Sequence, residues 1–255
     1  GFHHILAERH SALLYDLLQQ GSPRFRMHLV RILAQSLLTK GKCAKGQFYL
    51  NVGHTGLDSA YLWPWIDEQG VRPVYLIHDL IPITHPQYCR PGEDARHRRR
   101  IANALSSASG LILNSQDTAR EIARFAAGEG LPFPPSTVAW LGTEDIGHVE
   151  RDPSVSPYFV MIGTIEARKN HLLVLDVWAD LVARLGDQAP ELVIVGQRGW
   201  EAEETMNRLD DLGPLKGKVR ELGPCGDAEM LELIAGARAL LMPSFVEGLI
   251  EALEI

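Results

Sequence analysis

The chain has 255 residues, of which 45% are hydrophobic and 22% charged. This composition excludes a disordered or fibrous protein, and the length is sufficient for two compact domains with cores of their own. No stretch approaches the roughly 18 apolar residues of a membrane-spanning helix, and the first residues contain no secretory signal. Three cysteines without a C-x-x-C pair fit a reducing compartment, so the sequence predicts a cytoplasmic protein.

The formal net charge of −7 is divided unevenly along the chain. Residues 1–150 contain 15 basic and 14 acidic side chains, whereas residues 151–255 contain 10 and 18. Such a difference suggests two domains with different partners, and the acidic total argues against a general nucleic-acid binder. On charge alone, the first half is the expected home of an anionic partner.

Short β-rich runs alternate with helical patterns through most of the chain. The opening residues 6–38 predict helices interrupted at 21–23, because leucine and alanine recur at helical spacing around a Gly-Ser-Pro break. The strand–helix–strand order that follows predicts parallel sheets. The expected strands are 47–52, 73–77, 110–113, 158–162, 191–195, 219–222 and 239–242, and the expected helices are 96–105, 118–125, 172–185, 202–211, 228–235 and one from Leu249.

A polar stretch with two prolines at residues 150–157 has the composition of a linker. We therefore expect two domains, residues 1–150 and residues 151–255. In doubly wound sheets, ligands bind beyond the carboxyl ends of the strands. The crevice of the second domain is expected to be formed by the loops that begin at Gly163, Gly196, Gly223 and Pro243.

Two adjacent cations, Arg168 and Lys169, lie where the strand 158–162 leads into a long helix. Free backbone N–H groups and the helix dipole attract anions to such a helix start, and two cations add direct charge for a phosphate pair. The alternative is that both are solvated residues of an ordinary helix cap. Local composition leaves both interpretations open.

Two carboxylates, Glu247 and Glu251, follow the last predicted strand. A helix would place them on one face, where like charges repel by a few tenths of a kcal/mol. Carboxylates in such a loop can accept hydrogen bonds from the hydroxyls of a sugar or ribose. The alternative is a surface helix with scattered acidic residues.

These loops together resemble glycosyltransferase family four. The likeness rests on Gly-Thr-Ile-Glu-Ala-Arg-Lys-Asn-His at 163–171, Pro-Ser-Phe-Val-Glu-Gly at 243–248, the glycines that end strands at Gly196 and Gly223, and His-Asp-Leu-Ile-Pro at 78–82. It covers most of residues 47–255. The resemblance implies an α/β protein of the GT-B fold, with two Rossmann-like, doubly wound parallel-sheet domains facing a central cleft, and suggests a bacterial member.

The resemblance also implies roles for individual residues around the donor phosphates. Lys169, with Arg168 as its companion, would bind the diphosphate of a nucleotide-sugar donor. The backbone at Gly163 and Thr164 would pass close to the phosphates. Because helix termini and cations neutralise the leaving diphosphate in such enzymes, the family implies no metal and no other cofactor.

Further roles concern the sugar and the ribose. Glu247, followed by Gly248, would approach the donor sugar, Glu251 would hold the ribose hydroxyls, and His78 would face the donor sugar across the cleft. The alternative for His78 is a buried, hydrogen-bonded histidine at a strand end. With Lys169, the residues Glu247 and His78 form the expected catalytic set.

The sequence departs from the family in one loop and at both ends. The family spaces its paired glutamates eight positions apart, whereas Glu247 and Glu251 are four apart. We therefore expect a longer protein, with residues missing after Gly248, after Ile255 and before Gly1. An intact mass near 28.3 kDa would refute this expectation; a real deletion would predict an inactive chain.

Secondary candidates lie in the first half. A glycine-flanked turn after the first strand can present His54, Thr55 and Gly56 to a cleft, although such a turn needs no ligand to explain it. The family resemblance adds three residues of the acceptor-side domain, Asp79, Asn114 and Ser115.

The run Arg-His-Arg-Arg-Arg at 96–100 is the strongest local charge in the first half. It could contact anionic lipid or an acidic acceptor, so peripheral contact with the inner membrane face is one interpretation; a solvated helix face is the other. The ten histidines show no metal-binding spacing.

The expected function is a retaining hexosyltransferase that uses a nucleotide-diphosphate sugar, with UDP or GDP undecided, and acts on a glycan, lipid-linked or other hydroxyl acceptor in polysaccharide or glycoconjugate biosynthesis. Two alternatives remain. One is an inactive GT-B protein that binds a nucleotide sugar or glycan, and the other is a nucleotide-sugar epimerase, which would act without an acceptor.

Overall fold

The computed structural model describes residues 6–19, 24–36, 38, 45–142 and 157–248. The chain divides into two compact units. The first unit comprises Gly1–His78 and Arg96–Ala139, and the second comprises Asp79–Ala95 and Trp140–Ile255. The predicted boundary falls almost wholly outside the described residues, so the division into 1–150 and 151–255 stays a prediction.

The first unit contains a four-stranded parallel sheet, in the order β1 (Phe48–Asn51), β2 (Arg72–Ile77), β3 (Gly110–Leu113) and β4 (Ser136–Val138). Apolar residues of the β2 and β3 strands, such as Tyr75, Ile77 and Leu113, are fully buried. The helices up to β4 are α1 (Glu8–Gln19), α2 (Phe25–Ser36), α3 (Leu62–Gln69), α4 (Ile81–Thr84), α5 (Glu93–Ser107) and α6 (Gln116–Glu129). Of these, α4 belongs to the second unit, and α5 begins in the second unit and continues in the first.

The second unit contains a three-stranded parallel sheet, in the order β5 (Tyr158–Ile162), β6 (Glu191–Val195) and β7 (Val219–Leu222). On the other side of β5, Leu240 pairs with Val160 as a single parallel bridge, where a strand 239–242 was expected. The α-helices that follow β5 are α7 (His171–Leu185), α8 (Glu203–Asp210) and α9 (Asp227–Gly236).

Both faces of the second sheet are buried, because successive side chains of a strand point to opposite faces. Met161, Leu192 and Ile194 pack with Leu175 and Trp178 of α7 in one apolar cluster. On the opposite face, the neighbouring strand residues form a second cluster against partly buried residues that include Leu233 of α9; its buried members are Tyr158, Val160, Val193 and Val195. Helices thus cover both faces, which confirms the α/β class with parallel sheets.

Candidate functional site

The strand order of the second unit fixes where a ligand-binding crevice can form. From β5 the chain proceeds to β6 and β7 in one direction, whereas Leu240 pairs on the opposite side of β5. Strand order therefore reverses between β5 and Leu240, and open α/β sheets bind ligands at the carboxyl ends of the strands at such a point. The two loops that leave this point are 163–170 and 243–248.

An ionic cluster joins these two loops. Glu247 accepts a hydrogen bond from Arg168 through Oε2 at 2.6 Å and one from Lys169 through Oε1 at 2.5 Å. Arg168 also donates to the carboxylate of Glu166 at 2.7 Å and to the backbone oxygen of Val246 at 2.9 Å. The four charged side chains are between 7% and 18% exposed, so one carboxylate bridges two largely buried cations.

The backbone holds the two loops together independently of these charges. The Phe245 N–H donates to the carbonyl of Arg168 at 3.0 Å, and the amide of Asn170 donates to the carbonyl of Pro243 at 3.1 Å. Asn170 adopts φ +59, a left-handed conformation that asparagine tolerates, and thereby turns the chain into α7. The turn that presents the cation pair is therefore fastened to the loop 243–248 by two hydrogen bonds.

The charges of the cluster stabilise one another. Burial raises the pKa of Glu247, but hydrogen bonds from Lys169, Ser244 and Arg168 outweigh burial and hold this pKa below its usual value. Burial lowers the pKa of Arg168, but the bonds to Glu247 and Glu166 raise it overall. Both groups are ionised at neutral pH, and the two cations are balanced by two carboxylates.

The other predicted donor residues lie near this cluster or outside the described part. A side chain at Gly163 would meet the Lys169 stem at 3.4 Å, and one at Gly196 would overlap the Gly163 carbonyl at 2.0 Å. The methyl group of Thr164 packs against Gly199. Gly248 follows Glu247 as the last described residue, and Glu251 lies outside the described residues.

In the first unit, three histidines form a separate cluster. The ring of His54 lies 5.4 Å from that of His78 and 5.5 Å from that of His97. His78 directly follows β2, and its Nε2 is 2.7 Å from the carbonyl of Val52. Burial, followed by the charges of His97 and His78, lowers the pKa of His54 to about 4, so this ring is neutral at pH 7.

The remaining candidates of the first half have structural contacts. Thr55 is exposed, and Gly56 turns the chain at φ +75. The Ser115 hydroxyl accepts a bond from the Thr118 N–H at 3.0 Å and so caps α6, while Asn114 accepts one from the Thr118 hydroxyl at the same distance. Asp79, in the second unit, accepts a hydrogen bond from the Ile81 N–H at 3.0 Å.

The basic run at 96–100 lies on α5 and is largely engaged within the first unit. Arg96 donates to Asp58 at 2.7 Å, Arg100 lies 3.6 Å from the same carboxylate, and Arg98 pairs with Glu129. Contacts within the protein therefore explain three of the four arginines in this run, and no external partner is needed to explain them. Membrane contact therefore stays a prediction.

The described residues contain neither a metal-binding group nor a membrane-spanning helix. Within this part of the chain, no group of three or more His, Cys, Asp or Glu side chains is placed to hold a metal ion. No described helix is both long enough and apolar enough to cross a membrane.

Comparisons with known proteins show which proteins this chain is similar to. Residues 144–254, which include the ionic cluster, match the family described as Glycosyl transferases group 1. The serotype-specific mannosyltransferase WbdA of Escherichia coli is 24% identical over 93% of this chain and 34% of its own length. The O-antigen chain mannosyltransferase B of Escherichia coli is 27% identical over 69% of this chain and 48% of its own length. The chain thus spans about a third to a half of these relatives.

Solved structures show the same fold. Sucrose-phosphate synthase from Thermosynechococcus elongatus matches 88% of this chain and 56% of its own with a TM-score of 0.60 at 13% identity. WaaG, a glycosyltransferase involved in lipopolysaccharide biosynthesis, matches 74% of this chain and 58% of its own with a TM-score of 0.53 at 17% identity. These structural neighbours are GT-B glycosyltransferases. The GT-B prediction is confirmed.

Sequence reasoning missed several members of the two clusters. Ser244 donates to Glu247 at 2.6 Å, and Glu166 holds Arg168; both lie inside the stretches that carried the family resemblance. Their positions beside Glu247 and Arg168 were the available signal. His97, hidden in the basic run, had no sequence signal as a neighbour of His54.

Proposed function

We propose that this chain is the nucleotide-sugar-binding part of a retaining glycosyltransferase of family four, of bacterial type, that transfers a hexose to a hydroxyl of a glycan or lipid-linked acceptor in cytoplasmic polysaccharide biosynthesis. The names of the relatives favour mannose as the hexose. One observation carries the proposal: Arg168 and Lys169 meet Glu247 at the point where strand order reverses.

The chemistry of the reaction explains why cations are needed at this place. When the bond between the anomeric carbon and the diphosphate breaks, negative charge grows on the phosphate and positive charge on the sugar ring. Arg168 and Lys169, both largely buried, stabilise the departing diphosphate because they already lie beside it when the bond breaks. Two protein cations replace a metal ion in this role, and transfer is expected to continue in EDTA.

Glu247 has a second task in this proposal. A diphosphate brought beside Arg168 and Lys169 would be repelled by the Glu247 carboxylate that now bridges them. Donor binding therefore moves the carboxylate off the cations, while Glu166 keeps Arg168 in place. The released carboxylate is then available to the hydroxyls of the donor sugar. The acceptor hydroxyl attacks from the face that the phosphate leaves, and a phosphate oxygen takes its proton, which gives retention.

The test is donor binding by the wild-type chain and two variants. GDP, UDP, GDP-mannose and UDP-glucose are added in thermal-shift and calorimetric titrations, and a ligand at a hundred times its Kd should add about 2.7 kcal/mol of stability. Lys169→Ala should lose this stabilisation. Arg184→Ala is the matched control, because Arg184 is 71% exposed on α7. Wild-type stabilisation that persists in Lys169→Ala would contradict the assignment.

A further inference from the structure

A second concave site lies in the same unit, next to the ionic cluster. It is a cavity of about 340 Å³, within the range of about 300–1,000 Å³ that is usual for small-molecule sites. Ala167 lines this cavity, and the next residue, Arg168, belongs to the ionic cluster. The short turn 167–169 therefore borders both sites.

Aromatic rings supply the apolar part of the cavity. Tyr88 and Phe245, which both line it, stack with their ring centres 5.2 Å apart and their planes 3° from parallel. His85 stacks in turn with Tyr88 at 6.4 Å. Phe245 remains 57% exposed, although its backbone is anchored to Arg168. A fixed, exposed aromatic ring offers an apolar surface to a ligand that carries C–H groups on one face.

The polar lining is acidic. Glu201, Glu203 and Glu204 line the cavity, whereas none of its described lining residues is a lysine or arginine. An anionic ligand such as a phosphate would be repelled by these three carboxylates, in contrast to the ionic cluster with its two cations. Carboxylates accept hydrogen bonds from hydroxyl groups, so the lining suits a neutral polyhydroxylated molecule.

A buried imidazole adds a polar group to the lining. His171 is 2% exposed, and burial, followed by the charge of Lys169, lowers its pKa to about 4, so the ring is neutral. The backbone of Glu166 favours the charged form of His171. Neither ring nitrogen of His171, however, has a partner at hydrogen-bond geometry among the described residues. A ligand hydroxyl, directly or through one water, would satisfy this group.

We propose that this cavity binds a neutral sugar unit of the acceptor glycan, stacked on Phe245 and Tyr88 and held through its hydroxyls by Glu201 and its acidic neighbours. This inference rests on the proposed function, since it gives the acceptor of that reaction a place beside the donor phosphates. It also names the acceptor chemistry, which is a neutral oligosaccharide rather than a phosphorylated one.

The experiment titrates the protein with α-mannobiose, the probe for a neutral glycan, and with mannose 6-phosphate, the probe for an anionic one. Binding is followed by saturation-transfer NMR and calorimetry. Tyr88→Ala and Glu201→Gln should each weaken α-mannobiose binding at least about tenfold, and mannose 6-phosphate should bind more weakly than α-mannobiose. Trp140→Ala is the control, because Trp140 is a 68% exposed aromatic residue outside the cavity lining and should bind like wild type.

A GDP titration separates this inference from the proposed function. Loss of α-mannobiose binding in Tyr88→Ala with GDP binding retained supports both. If GDP does not bind the wild type while α-mannobiose binds and depends on Tyr88 and Glu201, the cavity assignment stands and the donor assignment fails. Any of three results overturns the inference. These are equal affinity for α-mannobiose in the wild type and both variants, no binding of α-mannobiose to the wild type, and tighter binding of mannose 6-phosphate than of α-mannobiose. Glu201→Gln, a surface change, keeps the test decisive if Tyr88→Ala does not fold.

Discussion

The two units place different chemistry beyond the carboxyl ends of their parallel strands. In the first unit, His54 and His78 follow β1 and β2 and form a cluster in which His54 is kept neutral by burial. In the second, Arg168 and Lys169 follow β5 and both pair with the carboxylate of Glu247. The edge of the first sheet therefore presents hydrogen-bonding side chains, and the edge of the second sheet presents charged ones.

The expectation drawn from net charge and the proposed donor site point to different units. Residues 151–255 carry an excess of acidic side chains, yet the second unit contains the two largely buried cations that we propose as the diphosphate site. Some of these acidic side chains have other cationic partners, for example Asp210 and Glu221, which both pair with Arg198. An anion responds to the nearest desolvated charges more than to the total charge of a domain.

The largest expected effect tests the charged side of the comparison. Lys169→Ala should lower sugar transfer by the full-length protein about 10²- to 10³-fold, because it removes a preorganised group that stabilises charge in the transition state. The loss should appear in kcat as well as in kcat/KM. Steady-state kinetics with a nucleotide sugar measure it, with Arg184→Ala as the control. A change confined to KM would mean that Lys169 binds the donor without stabilising the leaving group.

A smaller effect tests the histidine cluster of the first unit. The pKa of His54 is about 4 in the folded protein and about 6.5 when unfolded, so the unfolded state binds more protons between these values. Stability contributed by the neutral ring is therefore present above pH 6.5 and lost as pH falls toward 4, with a loss of about 2 kcal/mol at pH 5.

His54→Asn should remove this part of the pH dependence, since asparagine tolerates the φ of +54 at this position and does not titrate. Urea unfolding at pH 7 and pH 5 measures it. His28→Asn is the control, because His28 is exposed on α2. The same loss of stability on acidification in wild type and His54→Asn would show that His54 is not held neutral by the fold.

The fold was predictable where a strand is a continuous apolar run. The predicted bounds 158–162 and 191–195 coincide with β5 and β6, because both strands are buried on two faces and need apolar residues throughout. The three-residue strand β4 was missed, since Ser136–Val138 follows two prolines and is mostly exposed. The strand expected at 239–242 was reduced to one bridge.

The candidate site was only partly predictable. The local sequence pattern was compatible with Arg168 and Lys169 forming either a phosphate site or a helix cap. Only the family resemblance connected them to Glu247, which lies 78 residues after Lys169. Periodicity describes neighbours along one element, whereas this contact depends on two loops meeting where strand order reverses. That Glu247 bridges both cations is a property of the folded site, which neither pattern nor resemblance supplied.

The smallest expected effect concerns this bridge. If Glu247 must leave Arg168 and Lys169 before a diphosphate can bind, Glu247→Gln should bind GDP about five- to tenfold more tightly than wild type, because a competing charge worth about 1 kcal/mol is removed. Sugar transfer should fall in the same variant, since the carboxylate is lost to the donor sugar. Calorimetry with GDP measures the first effect, and Glu191→Gln, which alters a surface ion pair with Arg220, is the control.

Other roles of Glu247 predict other results for Glu247→Gln. If Glu247 contacted only the sugar, the affinity for GDP would be unchanged; if it supported the phosphate site structurally, the affinity for GDP would fall. Tighter binding of GDP combined with slower transfer separates the displaced carboxylate from both.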